Sequence, residues 1–280
     1  HLEVFDICDR KKLDGFLKKN SKISAIIHFA AYKAVGESVN KPLDYYRNNL
    51  DSLMNLLDAM IRFKIPALVF SSSCTVYGQP EKLPVTEDTP IKPATSPYGN
   101  TKRIGEEVIR DTVFANPDLK AISLRYFNPV GAHPSGLIGE MPRGVPENLV
   151  PFITQTAIGL RDMLQVFGND YNTPDGSCIR DYLHVVDLAK AHVVAVDRLL
   201  GDKNKKRYEV FNLGTGKGVS VFEAIESFER VSGVKLKYKV TGRRPGDIEK
   251  IWADPSFANE ELGWKTEYSL DEAMRSAWKW

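Results

Sequence analysis

The chain has 280 residues, 42% apolar and 26% charged, enough for one large core or two small ones and too apolar for a disordered or collagen-like polymer. Thirty-eight Lys and Arg against 36 Asp and Glu leave a formal charge of +2, which gives no basis for a nucleic-acid partner. Three cysteines (Cys8, Cys74, Cys178) lie far apart without a C-x-x-C pair, and no apolar run reaches the roughly 18 residues of a membrane span, so a cytoplasmic protein without membrane attachment is expected.

Asp6 and Ile7 read as the end of a first strand. A β-branched run at 24–30 follows, then a helix-period segment at 41–63, a buried run at 67–70, a helix at 97–114 and a strand at 121–127. Ser96 followed by Pro97 supplies an N-cap and a first-turn proline for the second of these helices. Strand and helix in alternation imply right-handed crossovers and an α/β fold built on a Rossmann-like, doubly wound parallel sheet. Ligands of such sheets sit beyond the carboxyl ends of the strands. From residue 128 the texture changes to a stretch rich in proline and glycine (129–151). Further elements read as a helix at 148–160, a strand at 165–167, a helix at 187–200 with Asp187 as its N-cap, a strand at 209–213 and a helix from Val221. The expected division is a first domain at 1–127 and a smaller α/β substrate lobe at 128–280, with parts of about 181–215 as candidates to return to the first sheet.

Tyr98 and Lys102 stand four apart on one helix face. An ammonium beside a phenol favours phenolate, which suits Tyr98 to take or return an alcohol proton. Ser71, Ser72, Ser73, Cys74 and Thr75 follow the 67–70 strand directly, and Ser73 lies 25 residues before Tyr98. A hydroxyl there can bond both a substrate alcohol and the phenol.

Three long motifs carry a resemblance. Val69-Phe-Ser-Ser-Ser-Cys-Thr-Val-Tyr-Gly78, Ser96-Pro-Tyr-Gly-Asn-Thr-Lys102 and Leu124-Arg-Tyr-Phe-Asn-Pro-Val-Gly-Ala-His-Pro-Ser-Gly136 resemble the extended short-chain dehydrogenase/reductase family, in its nucleotide-sugar 4-epimerase branch. His28-Phe-Ala-Ala-Tyr-Lys-Ala-Val-Gly-Glu-Ser-Val39, Ile179-Arg-Asp-Tyr-Leu-His-Val-Val-Asp-Leu-Ala189 and the 243–247 run continue it. The resemblance implies interconversion of UDP-galactose and UDP-glucose by a recycled NAD, with 1–127 as the NAD-binding domain. NAD takes the hydride from C4 while Tyr98 takes the hydroxyl proton, Lys102 tunes Tyr98 and meets the cofactor ribose, and Ser73 holds the 4-oxygen. It also implies cofactor contacts at Asp6, Ile7, Phe29, Ala30, Ala31, Tyr32, Lys33, Asn48 and Phe127, besides Ser73, Tyr98 and Lys102. Sugar and uracil contacts are implied at Asn128, Asn148, Leu149 and Phe167, a diphosphate clamp at Arg180 and Arg244, and a ribose or uracil contact at Asp247. Ile251 stands near the family's gate for N-acetylated sugars, where its intermediate size leaves those substrates open. A homodimer built on helices 41–63 and 97–114 is also implied.

The family opens with a strand, a glycine-rich turn and a helix that this chain does not contain, so a fragment of a longer protein that binds little NAD is expected. Gly214-Thr-Gly-Lys-Gly218 follows a strand and precedes a helix, but it lacks the third glycine at the required spacing and is read as a turn beside the substrate lobe. Ala31-Tyr32 replace the family's usual Gly-Leu, and Met141 and Glu147 its usual Asp and Asn. The five histidines show no metal spacing, so no metal is expected. Two other readings stay open. A nucleotide-sugar 4,6-dehydratase needs an acid/base carboxylate pair where Cys74 and Thr75 stand, and a non-catalytic NAD-sensing protein has no need of Ser73, Tyr98 and Lys102.

Overall fold

The computed structural model describes all residues except Arg143 and Pro245, the latter part of the 243–247 motif. The chain forms two compact units, His1–Gly78 with Ile91–Arg125 and His192–Phe211, and Gln79–Pro90 with Tyr126–Ala191 and Asn212–Trp280.

The first unit is built on a parallel sheet in the order β1 (Ala25–His28), β2 (Ala67–Ser71), β3 (Lys120–Tyr126) and β8 (Tyr208–Leu213). Ala67 is in register with Ala25 on one side and Lys120 on the other. The Ala121 amide donates to the Arg207 carbonyl (2.8 Å), which ties β3 to β8. Every residue of β2 is buried, as its unbroken apolar run requires of a central parallel strand. The core joins β2 to three helices, α1 (Arg10–Lys19), α4 (Ser52–Arg62) and α5 (Pro97–Ala115), through Leu17, Leu56, Met60, Leu68 and Ile109. The expected helix at 41–63 is present as α3 (Pro42–Tyr46), one π-helical turn (Arg47–Asp51) and α4, preceded by a short α2 (Val35–Asn40).

Two local expectations are corrected. Residues 1–6 are irregular, and Asp6 begins a turn in which its carboxylate accepts from the Cys8 amide (2.9 Å). A strand needs a ladder partner, and among the described residues 1–6 have none. Asp187 does not cap its helix: α7 begins two residues earlier (Val185–Leu200). The Asp187 carboxylate instead accepts from the amides of Glu267 (3.0 Å) and Tyr268 (3.1 Å), fixing the loop ahead of the last helix.

Among the described residues the second unit has three strand pairs: β4 (Asn128–Val130) parallel to β7 (Tyr182–His184), β5 (Leu164–Phe167) parallel to β10 (Tyr238–Thr241), and β6 (Ile179–Arg180) antiparallel to β9 (Val219–Ser220). Its core joins α6 (Leu149–Ala157), α8 (Val221–Ser232) and α10 (Leu270–Lys279) through Ile153, Phe228 and Met274, while α9 (Ser256–Glu261) is a short helix. Ser220 with Glu223 and Ser269 with Glu272 form reciprocal capping boxes. Among the described residues no helix is long and apolar enough to cross a membrane.

Candidate active site

Ser96 caps α5 by accepting from the Gly99 amide (3.2 Å), so the helix starts at Pro97 and Tyr98 lies in its first turn. A Cβ on Gly99 would lie 3.3 Å from Thr75, which shows how closely the helix start approaches the one-turn 3₁₀ helix Cys74–Tyr77. One turn on from Tyr98, Lys102 is almost wholly buried, 4% exposed. Its ammonium donates to the Ser71 carbonyl at the carboxyl end of β2 (2.6 Å) and lies 4.8 Å from the Phe70 ring centre and 6.0 Å from that of Tyr98. Burial pushes its pKa down to about 8, against a smaller upward pull from Glu106. His28, at the end of β1 and stacked on Phe70, is pushed down to about 4 by burial and then by Lys102, so it is neutral at pH 7. Ser73 is extended and its hydroxyl accepts from the Thr75 amide (3.2 Å). The hydroxyl of Thr75 is buried without a partner.

The segment after β1 presents its side chains outward: Phe29 is 54% exposed and Tyr32 51%. Phe29 packs on His192 (4.4 Å between ring centres) and Tyr32 edge-on to Tyr45 (5.5 Å). Ala30 and Lys33 are exposed and Ala31 half-buried. Asn49, in the π-helical turn, holds this segment: its side chain accepts from the Tyr32 amide (2.8 Å) and donates to the Tyr32 carbonyl (3.0 Å) and to the Thr101 hydroxyl on α5 (3.0 Å). Neighbouring Asn48 is half-buried and donates to Asn49 (2.9 Å). Asn55 on α4 donates to the carbonyls of Ile7 (3.3 Å) and Cys8 (3.1 Å), fixing the turn that carries Asp6 and Ile7. Sequence reasoning missed Asn49 and Asn55; two adjacent asparagines inside a helical segment were the available signal, since asparagine is disfavoured there.

These parts fit a dinucleotide. An exposed aromatic segment, a buried ammonium and an unpartnered buried hydroxyl lie at the carboxyl ends of parallel strands, where such cofactors bind.

In the second unit Asp247 lies between two guanidiniums, 2.8 Å from Arg244 and 3.7 Å from Arg180. Arg244 also lies over the Phe167 ring at 5.5 Å. Two cations around one carboxylate leave a net positive charge with guanidinium donors to spare, suited to a diphosphate. Asn148 is exposed at the start of α6 and donates to Glu140 (2.8 Å), with Leu149 half-buried beside it. Asn128 follows β3, its amide bonded to the Asp181 carbonyl (2.9 Å). Phe127 and Ile251 are both buried, Ile251 only 2% exposed.

The Gly214–Gly218 turn holds an internal anion. The Asp181 carboxylate accepts from the Thr215 amide (2.8 Å), the Thr215 hydroxyl (2.7 Å) and the amides of Gly216 and Ala253 (3.2 Å each). A Cβ on Gly214 would collide with that carboxylate.

The family model described as GDP-mannose 4,6 dehydratase matches residues 1–277. The chain is 50% identical over 275 residues to the UDP-glucose 4-epimerase of Bacillus subtilis (98% of this chain, 80% of that protein). It is also 50% identical over 278 residues to that of Homo sapiens (99% and 79%). Among solved structures it is similar to the UDP-glucose 4-epimerase from Bifidobacterium longum in complex with NAD+ and UDP, with a TM-score of 0.95 and 47% identity over 99% of this chain and 82% of that one.

Proposed function

Since the chain belongs to the GDP-mannose 4,6 dehydratase family and, within it, to the UDP-glucose 4-epimerases, we propose that its Ser73, Tyr98 and Lys102 carry the C4 epimerisation of UDP-galactose and UDP-glucose. The observation that carries this assignment is the buried Lys102 one helical turn from Tyr98, anchored to the strand end that leads into Ser73.

Phe29, Ala30, Ala31, Tyr32, Lys33 and Asn48, with Asp6, Ile7 and Phe127, would hold NAD, which supplies a hydride acceptor and donor for C4. Tyr98 takes the proton of the 4-hydroxyl and returns it to the same oxygen. Its ordinary pKa of about 10 is too high for a base at neutral pH, and the Lys102 ammonium favours the phenolate. Ser73 accepts from a backbone amide, so its own O–H is free to donate to the 4-oxygen. Burial matters here because a charge–charge effect that water would screen keeps its strength in a low-dielectric site. Arg180 and Arg244, ordered by Asp247, hold the diphosphate, with Asn128, Asn148, Leu149 and Phe167 around the sugar and base and Ile251 at the position of the family's gate for N-acetylated sugars. Binding concentrated on the nucleotide leaves the hexose able to turn and present either face.

The dehydratase reading loses ground at Cys74 and Thr75, neither of which is a carboxylate. We also infer a homodimer through the segment Pro42–Arg62 and α5, supported by exposed Leu43, Met54, Ile61 and Phe114. Work in galactose metabolism in the cytoplasm is inferred with it, supported by three free cysteines. The test is conversion of UDP-galactose to UDP-glucose by the protein supplied with excess NAD, with no net NADH, together with light scattering for the dimer. A 4-keto-6-deoxy product would move the chain to the dehydratase reading.

A further inference from the structure

The catalytic helix carries a third side chain on the Tyr98–Lys102 face. Glu106 is one turn beyond Lys102, 5% exposed, and accepts from three directions. The Ser72 hydroxyl donates to its Oε1 (2.6 Å), and Arg125 on β3 grips both oxygens, Nη2 to Oε2 at 2.6 Å and Nε to Oε1 at 2.9 Å. Arg125 then donates from Nη1 to the Tyr77 hydroxyl (2.9 Å) and covers the Tyr77 ring at 4.9 Å. Ser72, Tyr77 and Arg125 are all buried.

These bonds leave the strand-end segment pinned at three points. Ser71 is held by Lys102, Ser72 by Glu106, and Tyr77 by Arg125. Ser73 lies between the pins, directly after the residue that Glu106 holds. We propose that Glu106, braced by Arg125, is the positioning residue of this site: it locks the helix that carries Tyr98 and Lys102 to the strand end that carries Ser73, and it sets a carboxylate one helical turn from the Lys102 ammonium. The inference rests on the roles given above to those three residues.

Geometry and charge both support it. A buried ion pair is held together at a desolvation cost, so a carboxylate placed here without function is a poor source of stability compared with apolar packing. Displacement of a reacting group by about 1 Å costs on the order of a hundredfold in rate, which gives a rigid spacer its value. The groups facing Lys102 are Tyr98 and Glu106 on its own helix and His28 on β1, which is neutral; Arg125 on β3 and Tyr208 on β8 lie around Glu106. Glu106 is the one anion among these.

Two variants separate the parts of this inference. Ser72→Ala removes one bond to Glu106 and leaves the ion pair intact. It is expected to lower kcat for UDP-galactose by about tenfold, with KM within about twofold of wild type. Glu106→Gln keeps the shape and removes the charge. Lys102 then gives up its proton more readily, so the alkaline limb of kcat moves down by about one pH unit. The ε-carbon NMR titration of Lys102 is expected to move the same way. Wild-type kcat in Ser72→Ala would overturn the positioning role. A folded Glu106→Gln with an unmoved limb and an unmoved Lys102 titration would overturn the electrostatic one. If Glu106→Gln does not fold, Ser72→Ala decides the positioning role, which is the core of the proposal. If the wild-type protein interconverts no UDP-sugar, the proposed function fails, and the Lys102 titration still judges Glu106 independently.

Discussion

Replacing Lys102 with Met keeps length and volume and removes a buried ammonium. The folded protein holds that group at about pKa 8, against an ordinary 10.5. At about 1.4 kcal/mol for each pH unit, folding gives up about 3 kcal/mol to keep the lysine charged. The sign follows from proton counts. Between pH 8 and 10.5 the unfolded chain binds the proton and the folded one has released it, so wild-type stability rises with pH across that window. Below pH 8 both states are charged and the full cost applies. The variant never carries this cost, but it loses the charged hydrogen bond to Ser71, an offset of about 1.5–3 kcal/mol. The decisive quantity is therefore the change in the gap with pH rather than its size at one pH. Urea unfolding of both proteins at pH 7 and pH 10 is expected to show wild type gaining most of that 3 kcal/mol on the variant, while the variant shows no epimerase activity at either pH. A gap that stays constant from pH 7 to pH 10 would mean that Lys102 titrates at its ordinary value, and the argument from burial would be wrong.

Tyr98→Phe retains the ring and loses the acid–base group, so kcat is expected to fall by about 10²–10⁴ with a nearly unchanged KM in steady-state assays with UDP-galactose. Arg244→Ala removes one side of the cation pair around Asp247 and is expected to weaken UDP binding by about 10–100-fold in calorimetry, matching one lost charge-assisted bond of about 1.5–3 kcal/mol. Asn49→Ala releases the Tyr32 segment from α5 and is expected to cost about 1–3 kcal/mol in urea unfolding through the polar groups it strands. The same variant is expected to weaken NAD binding, read by fluorescence titration.

Periodicity carried the helices at 41–63 and 97–114 and the four strands of the first sheet to within a few residues, because local pattern and burial agree there. It missed the π-helical turn at Arg47–Asp51, since no local pattern marks one extra residue per turn; the turn accompanies Asn49 bonding Tyr32 and Thr101 at once, a tertiary demand. Asp187 looked like a cap because caps favour aspartate, yet the amides that claim it lie about 80 residues further along the chain. Gly214–Gly218 has the strand-turn-helix setting of a phosphate turn without its glycine spacing, and the Thr215 and Gly216 amides take an internal anion, Asp181. Tyr98 and Lys102 were singled out by their spacing only together with the serines that follow the 67–70 strand and the long motifs around them. Glu106 shares that spacing, but a charged residue on a helix reads as a solvated face until Arg125 and Ser72, distant in sequence, are seen against it.

The central claim is that C4 is oxidised and reduced at one site whose proton is handled by Tyr98. UDP-galactose deuterated at C4, incubated in ordinary water with the NAD-loaded protein and followed by NMR, tests it most directly. The account predicts UDP-glucose with the deuterium still at C4, and the same label staying in unreacted UDP-galactose with Tyr98→Phe. UDP-glucose that has lost the deuterium to solvent would contradict it, as would Tyr98→Phe turning over at the wild-type rate.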